Sequence, residues 1–318
     1  MPAALASRGP RALGLLVGAV LDAAVGDPRR GHPVAVFGRT AGAVERRVWA
    51  DSRRRGSAFV LGWVTAAVTV AAVVERAALS AGSRVAITAV STWAVLGGAT
   101  LLREAGQMQS LLEAGDVAGD LGPARARLAH LCGREARDLD ADELARATVE
   151  SVAENTSDAV VAPLLWGAVA GVPGLVGYRV VNTLDAMVGH HSARYERFGW
   201  AAARLDDVAN LVPARITGLL ASALAPLVGG KPGSTLRVLR RDGAAHPSPN
   251  AGRCEAAFAG ALQLRLGGDN RYGSRVETRG PLGDGAPPQV ADIARTVRLS
   301  RLVGVATIVL ATAVAWLR

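Results

Sequence analysis

Five stretches of this chain carry residues whose types and spacing could do chemistry. The first runs Glu150-Ser-Val-Ala-Glu154-Asn155-Thr156-Ser157-Asp158. At four-residue spacing, Glu150, Glu154 and Asp158 share one helix face. Like charges so placed cost a helix ~0.2–0.5 kcal/mol per pair, and a divalent cation would relieve the strain. Carboxylate oxygens suit Mg²⁺. The plainer alternative is a solvated face whose Asp158 caps the next helix. The second stretch, Asn182-Thr-Leu-Asp185-Ala-Met-Val-Gly-His190, sets Asn182 and Asp185 three apart, within reach of one ligand. Its alternative is a helix end where polar residues surface. The third is Arg204-Leu-Asp206-Asp207-Val-Ala-Asn210. An acidic pair with an Asn one turn later reads as a Mg²⁺–phosphate site or as a helix cap.

The fourth stretch is Arg241-Asp242, then His246-Pro-Ser-Pro-Asn250-Ala-Gly-Arg253. Two prolines stiffen the approach to an amphipathic helix expected from about Ala251 to Leu266. Free amides and the dipole at such a start can hold a phosphate, with Arg241, Asn250 and Arg253 nearby. Ser248 or Asn250 could equally be a plain cap. The fifth holds Asp22, Gly26-Asp27-Pro28, His32-Pro33 and Phe37-Gly38-Arg39, which could be no more than the turn leaving a helix. No GxxxxGK[ST], GxSxG or HExxH pattern occurs, so any nucleotide site is not a P-loop.

The elements that must position these residues are apolar. Half of the 318 residues are hydrophobic and 20% are charged, clustered between apolar runs. That is the pattern of an all-α integral membrane protein. Leu13–Val25, Ser57–Val74, Val85–Leu102 and Leu302–Leu317 predict about four spanning helices. Ala159–Val188 is broken at Gly171-Val-Pro-Gly174, and each half is too short to span. It is expected to dip into the bilayer and return, with its polar ends on one side; the alternative is one kinked span of about 24 residues. Val208–Val228, interrupted by Pro213 and Pro226 and carrying Arg215, reads as a second re-entrant piece. Residues 103–157 are expected to form a cytoplasmic helical insert, and 229–301 a cytoplasmic basic loop region, within one membrane domain spanning 1–318.

The loop 27–56 has eight arginines (29, 30, 39, 46, 47, 53, 54 and 55) against two before the first helix. The positive-inside rule puts it in the cytoplasm and argues against a signal peptide. Motif-bearing loops of a multi-pass protein of the cell membrane would then face the cytoplasm. Net charge is +9 with Lys231 the only lysine. GC-rich coding explains much of the arginine excess, and binding of anionic lipid or phosphorylated substrate is compatible with it. With 4% aromatics and no binding motif, nucleic acid is not the expected partner. Cys132 and Cys254 stand alone, as free thiols.

Taken together and in order, the motifs resemble one family. They are Gly26 to Arg39, ESVAENTSDAVVAPL (Glu150 to Leu164), YRVVNTLDAMVGH (Tyr178 to His190), Glu196 to Arg215, HPSPNAG with the EAAFAGAL that follows (to Leu262), and Leu266 to Gly273. This is the adenosylcobinamide-phosphate synthase family of CobD/CbiB type. The resemblance implies a membrane enzyme of cobalamin synthesis. It amidates the free propionate of adenosylcobyric acid with aminopropanol or aminopropanol phosphate, using ATP and Mg²⁺, within reach of other late cobalamin-synthesis enzymes.

The chemistry suits the residues. A carboxylate needs activation by phosphoryl transfer before an amine can displace oxygen, and the protein must hold polyphosphate, metal and two anionic substrates together. We expect Glu150, Glu154, Asp158, Asp206, Asp207 and Asn210 to serve the metal, with Glu154, Asp158, Asp206 and Asp207 converging on one Mg²⁺. Asp27, His32, Arg39, Asn155, Asn182, Arg241, Asn250 and Arg253 are the expected substrate and phosphate contacts. Asp185, His190 and His246 are the candidate bases for the ammonium proton. The competing readings are a polytopic transporter of an anionic small molecule and a non-catalytic scaffold. The first would carry its polar residues at mid-span, and the second would show no nucleotide dependence.

Overall fold

The computed structural model describes residues 2–28, 31–272 and 275–318, so Arg29 and Arg30 of the basic loop lie outside the described residues. The chain is helical almost throughout. Its helices are α1 (Pro2–Val25), α2 (Pro33–Val48), α3 (Arg53–Ala77), α4 (Ala81–Val95), α5 (Gly98–Ala118), α6 (Gly122–Leu128), α7 (Ala141–Thr156), α8 (Ala162–Leu184), α9 (Trp200–Leu224), α10 (Pro232–Asp242), α11 (Ala251–Leu262) and α12 (Asp292–Leu317). Among the described residues five stretches are long and apolar enough to cross a membrane: Arg53–Ala77, Ala81–Ala118, Ala141–Gly189, Trp200–Val228 and Asp292–Leu317. Exposed Val70, Val73, Leu219 and Val309 fit helices whose outer faces meet lipid.

The chain divides into two compact units. The first comprises residues 1–99, 158–210 and 307–318. In it α1 lies along α4 at Gly14 and Gly18, where a Cβ would strike Thr88 and Thr92. Small residues four apart are how membrane helices approach closely without a hydrophobic drive between them. Leu15, Leu164, Leu175 and Ala311 form one core of this unit; Phe59, Leu184 and Phe198 form another.

α8 carries the fold's main irregularity. Gly171 has φ 65° and ψ −148°, a backbone conformation that glycine tolerates. The chain reverses there: a Cβ on Gly174 would lie 2.2 Å from the Trp166 carbonyl, and Gly167 abuts Leu175. A straight helix would hold those positions about 12 Å apart. The expected hairpin is therefore present. Its broken backbone is satisfied from outside, since Glu75 Oε1 accepts the Val172 amide at 3.1 Å and the Arg318 guanidinium donates to the Val169 carbonyl at 3.0 Å. The second expected re-entrant piece is not formed. α9 continues through Pro213 as one helix of 25 residues.

The second unit comprises residues 100–157 and 211–306, and so contains both segments read as cytoplasmic inserts. Its core gathers Met108, Leu112, Leu128, Leu144 and Ile293. α11 is shorter than its pattern suggested. After Leu262 the chain turns into an antiparallel hairpin, β1 (Leu266–Tyr272) and β2 (Arg275–Leu282), in which Leu266 faces Leu282. Gly267 and Gly268, at φ 94° and 102°, form the irregularity at its base.

Candidate functional site

The sequence-predicted residues fall into two groups, one within each unit. In the first unit the centre is a residue to which the motifs alone gave no role. Arg179, on the second arm of α8, donates to the Val95 carbonyl and, at 3.2 Å, to Asn182 Oδ1. Asn182 Nδ2 donates to Asp206 Oδ1 at 3.3 Å, Asn210 Nδ2 donates to Asp206 Oδ2 at 2.9 Å, and the Tyr178 hydroxyl donates to Asn210 Oδ1 at 2.9 Å. Asp22, Asp27, Asp158 and Asp206 all lie within electrostatic reach of the Arg179 guanidinium. Four carboxylates from three motifs thus share one arginine. The signal available beforehand was a lone arginine in an otherwise apolar run, which is seldom idle in lipid.

The surrounding members are held as follows. His32 caps α2 through Nδ1, and its Nε2 lies 3.4 Å from Asp27 Oδ1. Asp22 Oδ2 accepts the Ala99 amide at the start of α5; its other oxygen is buried with no hydrogen-bond partner among the described residues. Asp207 pairs with Arg204 at 3.6 Å. Asp185 opens a π-helical turn, Asp185–Gly189, and packs against Gly189. His190 is exposed, edge-on to Tyr195. Arg39 is exposed.

In the second unit Glu150 is the centre, 2% exposed. Arg134 Nη2 pairs with its Oε2; the Gly267 amide donates to Oε1 at 2.9 Å, and Arg146 lies 3.5 Å from the same oxygen. Arg146 also donates to the Gly267 and Asp269 carbonyls and to Asn270 Oδ1, so α7 grips the base of the hairpin. Asn155 donates to the Ser151 carbonyl and hydroxyl. Glu154 stays in this unit, while Asp158 belongs to the first.

The start of α11 is built as a self-contained cap. Ser248 Oγ accepts the Asn250 and Ala251 amides, and His246 Nδ1 accepts the Ser248 amide. Those two helix amides are therefore spoken for. Among the described residues the buried Arg253 Nε has no hydrogen-bond partner. Arg241 grips Asp242 and reaches Asp284 at 2.7 Å; with the Gly283 amide this holds the Asp242 carboxyl below its usual range. Buried beside His246 lies Glu255, fully inaccessible, with Arg279 Nη1 3.5 Å from its Oε1. Burial lifts Glu255 well above the ordinary glutamate range and pushes His246 down to about 4. The sequence reading passed over Glu255, Arg134 and Arg279; an acid among buried alanines in Glu255-Ala-Ala-Phe258 was the trace they left. Neither Cys132 nor Cys254 is in a disulfide, and burial raises the Cys132 thiol, which makes it a poor nucleophile.

Among the described residues no three His, Cys, Asp or Glu side chains form a group that could hold a metal ion by themselves. Mg²⁺ carried on a nucleotide asks for less: one or two carboxylates, with phosphate and water supplying the rest. The acids around Arg179, with the unpartnered Asp22 oxygen, fit that smaller demand.

Residues 15–300 match the family model described as CobD/CbiB protein. The chain is 51% identical over 308 residues to "Cobalamin biosynthesis protein CobD" of Mycobacterium tuberculosis (strain H37Rv), covering 97% of each chain. Proteins of the same name from Rhodobacter capsulatus and Geobacter metallireducens are 39% and 41% identical, over 95% and 90% of this chain and 97% and 91% of theirs. No solved structure matches. On this similarity, spread over nearly its whole length, the chain belongs to the CobD/CbiB family.

Proposed function

We propose that this protein acts in cobalamin biosynthesis as an ATP-dependent ligase of the membrane. It joins aminopropanol, or its phosphate, to the free propionate of adenosylcobyric acid. The observation that carries the reading is the polar cluster around Arg179, in which acids from three separate motifs meet inside an apolar bundle. Such a cluster suits a metal–polyphosphate, and its members come from the motifs that carry the family resemblance.

The propionate oxygen takes the γ-phosphoryl group of ATP and ADP leaves. The amine then attacks the acyl carbon, phosphate departs and a base takes the ammonium proton. Asp158, Asp206 and Asp27 would hold nucleotide-bound Mg²⁺, which neutralises charge on the transferring phosphoryl group. Asn182 and Asn210 hold the Asp206 carboxylate fixed, so nothing must reorganise as charge develops. Asp185 and His190 are the bases available in that unit. His246, pushed down to about 4, is a weak base and serves better as a donor. The motif loops face the cytoplasm of a cell-membrane protein, where ATP is.

The break in α8 also suits a transporter, whose sites are often built on discontinuous helices. One assay separates the two. Purified protein in detergent receives adenosylcobyric acid, aminopropanol or aminopropanol phosphate, and Mg-ATP, with products read by mass spectrometry. The expected result is the amide, formed in step with ADP and only when ATP is present. Folded protein that makes no amide with either amine would overturn the ligase reading.

A further inference from the structure

The first unit holds a cavity of about 510 Å³ that the reaction above does not use. It lies between α3 and α4, against the second arm of α8 and the start of α2. Bonds already described fix its two ends. Val74 and Val172 line one end, where Glu75 accepts the Val172 amide. At the other, the Arg179 guanidinium donates to the Val95 carbonyl, and Phe37 stands edge-on to Trp63 with ring centres 5.3 Å apart. Val70, Val74 and Val90 of its wall are exposed, so the cavity opens towards lipid between α3 and α4.

The wall decides what can fill it. Water settles in a cavity that offers about two to four polar partners. Here the polar side chains are Arg179, Ser91 and Trp63, and the Arg179 guanidinium is committed to Val95 and Asn182. A nucleotide base or the edge of a corrinoid would leave its own polar groups unpaired, at ~1–3 kcal/mol apiece. An empty space would forfeit dispersion contacts along the whole wall. A methylene chain makes those contacts and asks for no partner. Length agrees as well. From Trp63 to Val74 the cavity follows α3 for about 16 Å of helix. The hydrocarbon core of a bilayer is about 30 Å thick, so the chains of one leaflet reach about 15 Å.

We propose that this cavity seats one acyl chain of a bilayer lipid. The chain lies between α3 and α4, along α8, with one end at Arg179. There it takes the place of the side chains that a closed bundle would pack against that residue. The site is independent of the reaction assigned to the cluster.

The test is photolabelling of the full chain in phosphatidylcholine bilayers, a small fraction of the lipid carrying a diazirine on one acyl chain. Peptide mass spectrometry locates the adducts. In wild type they should concentrate on the cavity-lining stretches of α3, α4 and α8, ~10-fold or more over the outward faces of α9 and α12. Ala66→Trp, at an exposed position of the wall, should fill the space and remove that excess; Ser91→Phe should do so from α4. Leu219→Trp, on the outward face of α9, should leave the pattern unchanged. Adducts spread evenly over all the lipid-facing helices would overturn the site without any variant. So would folded Ala66→Trp and Ser91→Phe proteins that both label as wild type does. Loss of the cavity adducts on adding Mg-ATP or adenosylcobyric acid would also overturn it, giving the space to a substrate. Amide formation with evenly spread adducts would sink the lipid site and leave the ligase; concentrated adducts without amide formation would do the reverse.

Discussion

The two units bury their charges by opposite means. Around Arg179 carboxylates outnumber the cation, and amide and hydroxyl groups of Asn182, Asn210 and Tyr178 make up the difference. Around Glu150 almost every partner is an arginine or a backbone amide, and the bonds tie a helix to a hairpin. Excess negative charge with neutral supports is what a cation-bearing substrate needs. Close pairing across two elements is what holds a shape. Breaking the second should therefore cost stability first, and breaking the first should cost activity first.

The largest expected effect is on stability. Glu150→Ala leaves Arg134 buried without its carboxylate and strands the Gly267 amide, which should cost ~3–5 kcal/mol. Denaturant unfolding in detergent would read it, and a loss below about 1 kcal/mol would contradict the clamp. Next is Arg179→Lys, which keeps the charge but cannot reproduce the guanidinium fork on Val95 and Asn182. It should lower kcat by ~100-fold or more with little change in melting; full activity would deny Arg179 its central place.

A pH effect comes third. The folded pKa of His246 lies below its unfolded value, so the unfolded chain binds the extra proton. Stability from this group is complete above about 6.5 and is lost as pH falls from there towards 4, by up to ~3 kcal/mol. Glu255, raised by burial, has the opposite sign: its contribution is complete below the unfolded glutamate range and is lost as pH climbs above it. His246→Gln should flatten the acid limb of the melting profile, and Glu255→Gln should raise the melting point at neutral pH. The smallest expected effect is that of Tyr178→Phe, which removes one hydrogen bond to Asn210 and should cost ~1 kcal/mol, checked by the same unfolding curves.

The helices were legible because lipid imposes a simple rule of length and hydropathy. The reversal at Gly171 was legible too, since Gly and Pro in mid-run leave few alternatives. The strand hairpin was not. Its first strand, Leu-Gly-Gly-Asp-Asn-Arg-Tyr, has neither alternation nor β-branched residues, and the base of the hairpin is held by Arg146 and Glu150, over a hundred residues away. α2 was hidden because its arginines made the segment look like a loop. The same division holds for the site. Asp206 and Asn210 could be paired by helix periodicity, and the structure brings them together. Arg179 with Val95, or Glu255 with Arg279, arises only when distant helices meet, and no local pattern encodes it.

The cap on the hairpin reaches beyond this one chain. Glu75 sits in α3 with its Oε1 where a Cβ on residue 171 would stand, bonded to the next amide and 3.9 Å from Arg11. An acid there is expensive in a membrane unless the helix of α8 is broken opposite it, and the break is expensive without the acid. Neither residue can be exchanged alone at low cost. Across descendants of one ancestral sequence, positions 75 and 171 should therefore drift as a pair, and lineages that straighten α8 should be the ones that have also discarded the glutamate.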